Sequence, residues 1–537
     1  MQQVDFIVVG AGSAGCVLAH QLGAARGASV LVLEAGGSDR RPWIRIPIGY
    51  GKTFYDEAVN WKFEAQPDPG LQGRRIYVPR GKVVGGSSSI NAMVYCRGLP
   101  QDFDDWAAAG NPGWGWDDVR PVYESFERPV DADGRAAAHG QLCVSDVRRQ
   151  LHPMERHFFA AAREAGLPFS DDFNGAEPEG VGRYRINTRH GLRFSGADAF
   201  LRPALARGNV ELCTGAMVDQ VIFEGRRAVG VRYRVAGSTI EARARRAVVL
   251  AAGAIQSPVL LQRSGVGPGA LLQRLGVPVV LASEAVGANL QDHLAHSYYY
   301  RATEPTLNDL LGSWWGRARL GLRYALTRSG PLSISVNQCG GFVRAHAQAR
   351  CADTQLYANP ITYKLEQSGG GTQIVPDPFP GFILCFQPCR PLSRGRVDAS
   401  GPLADDAPLI VPNYLSHPED VAQALRGAQL IRRLEQTAAM RGLIAAPLAP
   451  SLADMDDDAM VEDFRARAST CYHPVGTCAM GPDPARAVVD PQLRVHGLER
   501  LYVVDASVFP TVTSGNTHAP TTMVAHKGAQ AVLADLG

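Results

Sequence analysis

Apolar residues gather into short runs at widely separated places along the chain. Asp5 to Gly10 (DFIVVG) is β-branched and apolar, Ala14 to Leu22 has helical spacing, and Ser29 to Glu34 (SVLVLE) is a second short apolar run. This reads as strand, tight turn, helix, strand. Such a unit implies parallel strands joined by a right-handed crossover. Arg246 to Gly253 (RAVVLAAG) is a further buried strand, followed by helical spacing over Ala254 to Ser264. Leu501 to Asp505 (LYVVD) marks a third such region, near the C-terminus. Buried strands in three regions so far apart predict one sheet assembled from discontinuous pieces. Between them lie alternating segments suited to an antiparallel sheet, and a Pro/Gly-rich stretch at 366–382 that reads as loop.

Composition narrows the class. The 537 residues are too many for one compact core and suit two domains. Hydrophobic content of 45% and charged content of 20% are ordinary for a globular protein. A net charge of +2 with no long Lys/Arg run argues against nucleic acid as a partner. The first apolar segment, Phe6 to Val9, runs straight into glycines and does not resemble a secretory signal. The longest apolar run, Ala247 to Ile255, is far short of the roughly 20 residues that span a bilayer. A cytoplasmic location is the expectation, with peripheral contact at the inner membrane compatible. Ten cysteines without paired CxxC motifs do not form a disulfide framework. Cys471, His473 and Cys478 fall close together, yet no second Cys/His pair complements them, so they are read as thiols and no metal is expected.

Gly10-Ala11-Gly12-Ser13-Ala14-Gly15 is a GxGxxG between a strand and a helix. Gly10 permits the tight turn, Gly12 lets backbone approach a pyrophosphate, and Gly15 lets helix and strand pack closely. The phosphates would sit at the helix N-terminus, where free N–H groups and the dipole favour an anion. Glu34, ending the next strand, is placed to accept ribose hydroxyls, which suits FAD or NAD and repels the extra phosphate of NADP. Gly81 to Tyr95 (GKVVGGSSSINAMVY), rich in small residues and hydroxyls, would let backbone lie against a flat ring system and favours FAD.

Longer motifs carry a family resemblance. GKVVGGSSSINAMVYCRG (81–98), GAIQSPVLLQRSGVGP (253–268), VGANLQDH (286–293), SRGRV (393–397), YHPVGTCAMG (472–481) and VVDASVFPTVTSGN (503–516) with the following THAPTTMVA occur in order. In them the chain resembles the glucose–methanol–choline (GMC) oxidoreductases over nearly its full length, and within that family the choline-dehydrogenase-like alcohol dehydrogenases. The resemblance implies an α/β fold (α+β overall). A Rossmann-like FAD-binding domain would be built from 1–100, 190–295 and 465–537. A substrate-binding domain with an antiparallel sheet and helices would take 101–189 and 296–464. It further implies that Gly12, Ser13 and Ala14 meet the pyrophosphate and Glu34 the ribose. Gly86, Ser87, Asn91, Ala92, Met93 and Val94 would line the phosphates and flavin, Val218 the adenine, and Asp505 and Ala506 the ribityl chain. Ala35, Gly85, Ala252, Gly253, Asn516 and Thr517 complete the expected set. Where some members attach flavin through a His, this chain has Ile90, so non-covalent FAD is expected.

Alcohol oxidation requires loss of the hydroxyl proton and transfer of a hydride from the carbinol carbon. A positioned imidazole contributes about 10²–10⁴-fold to such a step. By resemblance, His473 is the base and Asn516 the group that orients the substrate oxygen, holding its carbon about 3–3.5 Å from flavin N5. His518 reads as a flavin-side neighbour, and His293 and His296 as structural or loop residues. A helix starting near Pro520, after Thr517 to Ala519, would point its N-terminus at the flavin. The position where choline enzymes carry a carboxylate aligns with Gln338, before Cys339-Gly340-Gly341-Phe342, and Tyr472 is the other expected pocket residue. A neutral primary alcohol, aliphatic or aromatic, is therefore the expected substrate, and a quinone-like molecule the expected electron acceptor. An O2-using oxidase, a choline dehydrogenase, a lyase and a non-catalytic flavoprotein are the alternatives.

Overall fold

The computed structural model describes residues 2–368, 371–448 and 450–535. Gln2–Val9 and Val30–Glu34 form parallel neighbours, with Phe6, Ile7 and Val8 fully buried between layers. Strands covered on both faces tolerate only apolar side chains, which is why these runs are continuous rather than alternating. The sheet runs Val210–Thr214, Val30–Glu34, Gln2–Val9, Ser238–Leu250, Arg227–Val235, Met217–Glu224, and Leu501–Val503 also pairs with Ser238–Leu250. Its first four strands are parallel to one another. Ser238–Leu250 runs 13 residues, longer than the segment expected at Arg246 to Gly253. Its first half pairs antiparallel with Arg227–Val235, and its last residues pair parallel with Leu501–Val503. The polar alternation of Ser238 to Arg245 hides this extension from an apolar count, because one face there reaches solvent.

Helix Ser13–Leu22 follows the glycine turn and packs along the C-terminal helix His518–Asp535. A Cβ at Gly15 would stand 1.8 Å from the carbonyl oxygen of Gly10, so helix and strand can close only on glycine. The C-terminal helix begins at His518, two residues before Pro520.

A second sheet is antiparallel throughout: Ile444–Leu448, Leu294–Ala302, Gly381–Pro388, Thr354–Asn359, Cys339–Val343, Gly180–Arg183, with Ser469–Thr470 pairing with Leu294–Ala302. The 366–382 stretch, expected to be loop, is largely strand. Tyr363–Ser368 and Gly371–Pro376 pair as a hairpin in which Leu365 faces Ile374, and the strand Gly381–Pro388 follows. Gly371 opens the second strand of this hairpin, and Glu366 and Gln367 occupy exposed positions on the first.

Candidate active site

One cavity of about 1520 Å3 runs between the two sheets. At one end it meets the glycine turn after Gln2–Val9, the C-terminal end of Val30–Glu34 and the N-terminus of His518–Asp535. At the other it is walled by the second sheet and the hairpin. Every expected cofactor position lines it except Gly15 and Gly85. Gly15 lies behind the turn, against Gly10, and Gly85 begins the short helical turn Gly86–Ser89. Gly12 and Gly86 approach so closely that a Cβ on Gly86 would stand 2.7 Å from the Gly12 Cα. Bare backbone from two motifs, 74 positions apart, thus faces one space, as a phosphate cradle requires.

Polar groups along the cradle are arranged by the backbone. Glu34 accepts N–H bonds from Ala11 (2.9 Å) and Gly36 (2.8 Å), and burial pushes its carboxyl up to about 7. Asp505 accepts from the Gly253 N–H at 2.8 Å and the Ser257 hydroxyl at 2.6 Å. Nδ1 of His518 pairs with the Ser13 hydroxyl at 3.0 Å, and its buried Nε2 has no protein partner among the described residues. That orphaned nitrogen on a cavity wall fits a ligand's polar atom better than an apolar filling. Burial brings His518 down to about 4. Ile90 has no nucleophile to offer a flavin ring.

Arg193, absent from the sequence reading, is fully buried beneath the Gly86–Ser89 turn. It donates to the carbonyls of Ile44 (3.0 Å) and Ser88 (3.1 Å) and to Oδ1 of Asn91 (2.7 Å). No short-range pattern flags it, since its partners lie 102 to 149 positions away.

His473 and Asn516 meet: Nδ2 of Asn516 is 3.2 Å from Nε2 of His473. The His473 N–H donates to Oδ1 of Asp292 at 2.8 Å. The other oxygen of that buried carboxylate takes hydroxyl hydrogens from Tyr414 (2.7 Å) and Thr470. Just before it, Tyr472 holds φ of +69°, a costly conformation for a bulky side chain. Arg80 donates to the Tyr472 carbonyl, and its ring packs edge-on against Phe54 with centroids 5.1 Å apart. Tyr472 does line the cavity.

His293, expected to be structural, is brought against His473. Its Nδ1 is 3.0 Å from Nδ1 of His473, and its Nε2 is 2.9 Å from the Cys389 carbonyl oxygen. A carbonyl only accepts, so Nε2 of His293 carries hydrogen. Burial depresses the pKa of both rings, keeping them neutral, and Nδ1 of His293 is therefore a bare acceptor. The shared hydrogen then belongs to Nδ1 of His473, which leaves Nε2 of His473 with a free lone pair. Asn516 satisfies that lone pair with its N–H, and its Oδ1 lies 3.5 Å from the Gln355 amide. Gln355 in turn accepts from Gln387 at 2.9 Å. His296 instead pairs with Asp463 at 2.9 Å, away from the cavity.

Gln338 does not reach the cavity, contrary to its expected place in the substrate pocket. Its Oε1 accepts the His152 N–H at 2.7 Å, and only its neighbours Val336 and Asn337 line the space. Gln338 lies just before strand Cys339–Val343, and its amide is held by the His152 backbone rather than by the cavity.

Two family models described as GMC oxidoreductase match residues 4–295 and 391–525. The chain belongs to the GMC oxidoreductase family. It is 40% identical over 534 residues to an alcohol dehydrogenase [acceptor] of Pseudomonas putida, covering 98% of this chain and 95% of the relative. An oxygen-dependent choline dehydrogenase of Vibrio vulnificus is 37% identical, covering 99% and 94%. The crystal structure of pyridoxine 4-oxidase from Mesorbium loti superposes with a TM-score of 0.87 at 30% identity, covering 98% of both chains. As a GMC oxidoreductase this protein is an FAD flavoprotein acting on CH–OH donors, and the cradle above fits that group.

Proposed function

We propose that this GMC oxidoreductase oxidises a neutral, largely apolar primary alcohol to its aldehyde and passes the electrons to a quinone-like acceptor. Bound FAD supplies the acceptor for the hydride leaving the carbinol carbon. Nε2 of His473 takes the hydroxyl proton, and the Asn516 amide holds the same oxygen. Asp292, through the His473 backbone, and His293, through the ring, keep that lone pair aimed at the substrate.

The charge lining the cavity carries the substrate reading. Its carboxylates, among the described residues, are Glu34 and Asp505, both at the nucleotide end. The substrate end holds Lys52, Arg317, Arg328 and Arg467 among Tyr299, Tyr357, Tyr363, Ile361 and Ile383. A quaternary ammonium would meet like charge and no carboxylate, whereas an aliphatic or aromatic alcohol would bury apolar surface at about 25 cal/mol per Å2. The name of the Pseudomonas putida relative, with its unspecified acceptor, supports a dehydrogenase over an oxidase.

Anaerobic mixing of the yellow holoenzyme with a panel of alcohols, choline included, tests this by flavin absorbance. Neutral primary alcohols should bleach the flavin, choline should not, and His473→Ala should lose the response while keeping FAD. Bleaching by choline alone would overturn the substrate reading. No bleaching by any alcohol would sink the reaction.

A further inference from the structure

Helix Trp314–Thr327 is held to the protein by two buried side chains, Leu320 and Tyr324. Its opposite face is apolar and exposed: Trp315 at 76%, Leu322 at 63% and Leu326 at 75%, at spacing i, i+7, i+11. Trp314, 66% exposed, packs on Trp315 with ring centroids 4.3 Å apart. An apolar stripe of this size is unusual on a surface that meets only water.

Charge says what covers it. Arg319 lies within the stripe and Arg323 flanks it, while Arg317 and Arg328 stand on the cavity side of the same helix. Among the described residues none of the four forms an ion pair. No Asp or Glu occurs between Asp309 and Asp353. A protein partner would have to supply a matching set of acidic groups, whereas an anionic bilayer offers phosphates at every point of its surface. Interleaved arginines and tryptophans instead suit a bilayer surface, where guanidinium groups reach the headgroup phosphates and the rings sink to the acyl boundary.

The same helix forms a wall of the cavity: Arg317, Leu320, Gly321, Tyr324 and Arg328 line it. Leu365 of the hairpin lines it too and is 54% exposed. We infer that the outer face of Trp314–Thr327 seats the cavity mouth on an anionic phospholipid surface. An apolar alcohol dissolved in the bilayer then reaches the site without crossing water. Docking is read by binding alone, so it stands or falls separately from the alcohol reading.

Flotation of the FAD-loaded enzyme with phosphatidylcholine vesicles, with and without phosphatidylglycerol, tests it. The enzyme should float with the anionic vesicles, less with phosphatidylcholine alone, and less again at high salt. Trp315→Glu with Leu322→Glu should cut the bound fraction by about tenfold or more. Both positions are exposed and outside the cavity lining, so FAD content and flavin reduction by a short water-soluble alcohol should not change. Arg319→Glu with Arg323→Glu should remove the preference for anionic vesicles. Failure of the wild type to float, or equal flotation of the Trp315/Leu322 variant, overturns the inference. So does a wild-type dimer in light scattering that the same variant converts to monomer without any vesicle binding, which would make this face a contact between copies of the chain.

Discussion

Nδ1 of His293 and Nδ1 of His473 stand 3.0 Å apart and share one hydrogen, whose owner is decided by the Cys389 carbonyl on the far side of His293. The base is thus set by a main-chain oxygen two groups away. His293→Ala should lower kcat by about 10²-fold, the low end of what a positioned base contributes, with FAD still bound. A merely structural role would leave the pH profile unchanged. Loss of the tautomer lock should instead move its acid limb. Stopped-flow flavin reduction across pH distinguishes the two.

The acid limb itself has a predicted position. Burial first, then the neighbouring His293 ring and the Arg80 guanidinium, hold His473 well below the usual imidazole range. The base is therefore already deprotonated at neutral pH. kcat/KM should be flat through neutrality and fall only as pH drops below about 6.5, the ordinary histidine value. A limb centred at or above 6.5 would contradict the buried neutral ring.

Stability should follow the same groups. His293, His473, His518 and His526 all have folded pKa values lowered by burial, the last two to about 4. The unfolded chain binds more protons than the folded one as pH falls. Their contribution is complete above about pH 6.5 and is lost progressively below it. Thermal melts of the holoenzyme should show Tm falling as pH drops from 6.5, with little change between 7 and 8 from these histidines.

Gly15→Ala places a methyl 1.8 Å from the Gly10 oxygen at the site where helix meets turn. The clash is with backbone, so relief requires displacing the cradle itself. A loss of about 1–3 kcal/mol or more is expected, together with weakened FAD retention. Denaturant titration and the flavin-to-protein absorbance ratio check it. An unchanged ratio would show that the turn tolerates the shift.

Arg193→Met keeps the volume but strands the carbonyls of Ile44 and Ser88, and leaves Oδ1 of Asn91 with the Met93 N–H alone. Each buried acceptor left unsatisfied costs about 1–3 kcal/mol. The protein should melt lower and lose FAD more readily on dilution. Retained FAD with a normal Tm would mean that water replaces the guanidinium.

Much of the nucleotide end was legible in the chain. The strand, glycine turn and helix from Gln2 to Leu22 depend on contacts between sequence neighbours, and short-range patterns record them. The motifs around Gly86, His473 and Asn516 are long enough to carry family likeness. Gln338 and the 366–382 stretch misled for opposite reasons. At Gln338 a bond to the His152 backbone, 186 positions away, draws the side chain off the cavity that Val336 and Asn337 line. At 366–382 glycine and proline content concealed alternating positions that pair across a hairpin.

By itself the sequence determined the βαβ start, the glycine cradle and the flavin cofactor class, and it singled out His473 as the base proposed here. Each is written in residues close together, where spacing and chemistry suffice. The tertiary structure alone decided which nitrogen of His473 is free, which arginine holds Asn91, and that no carboxylate among the described residues faces the substrate end of the cavity. Those facts join His293 to His473 across 180 positions and Arg193 to Asn91 across 102. Such pairs meet only when separate loops pack together, and no local pattern of apolar and polar residues encodes the meeting.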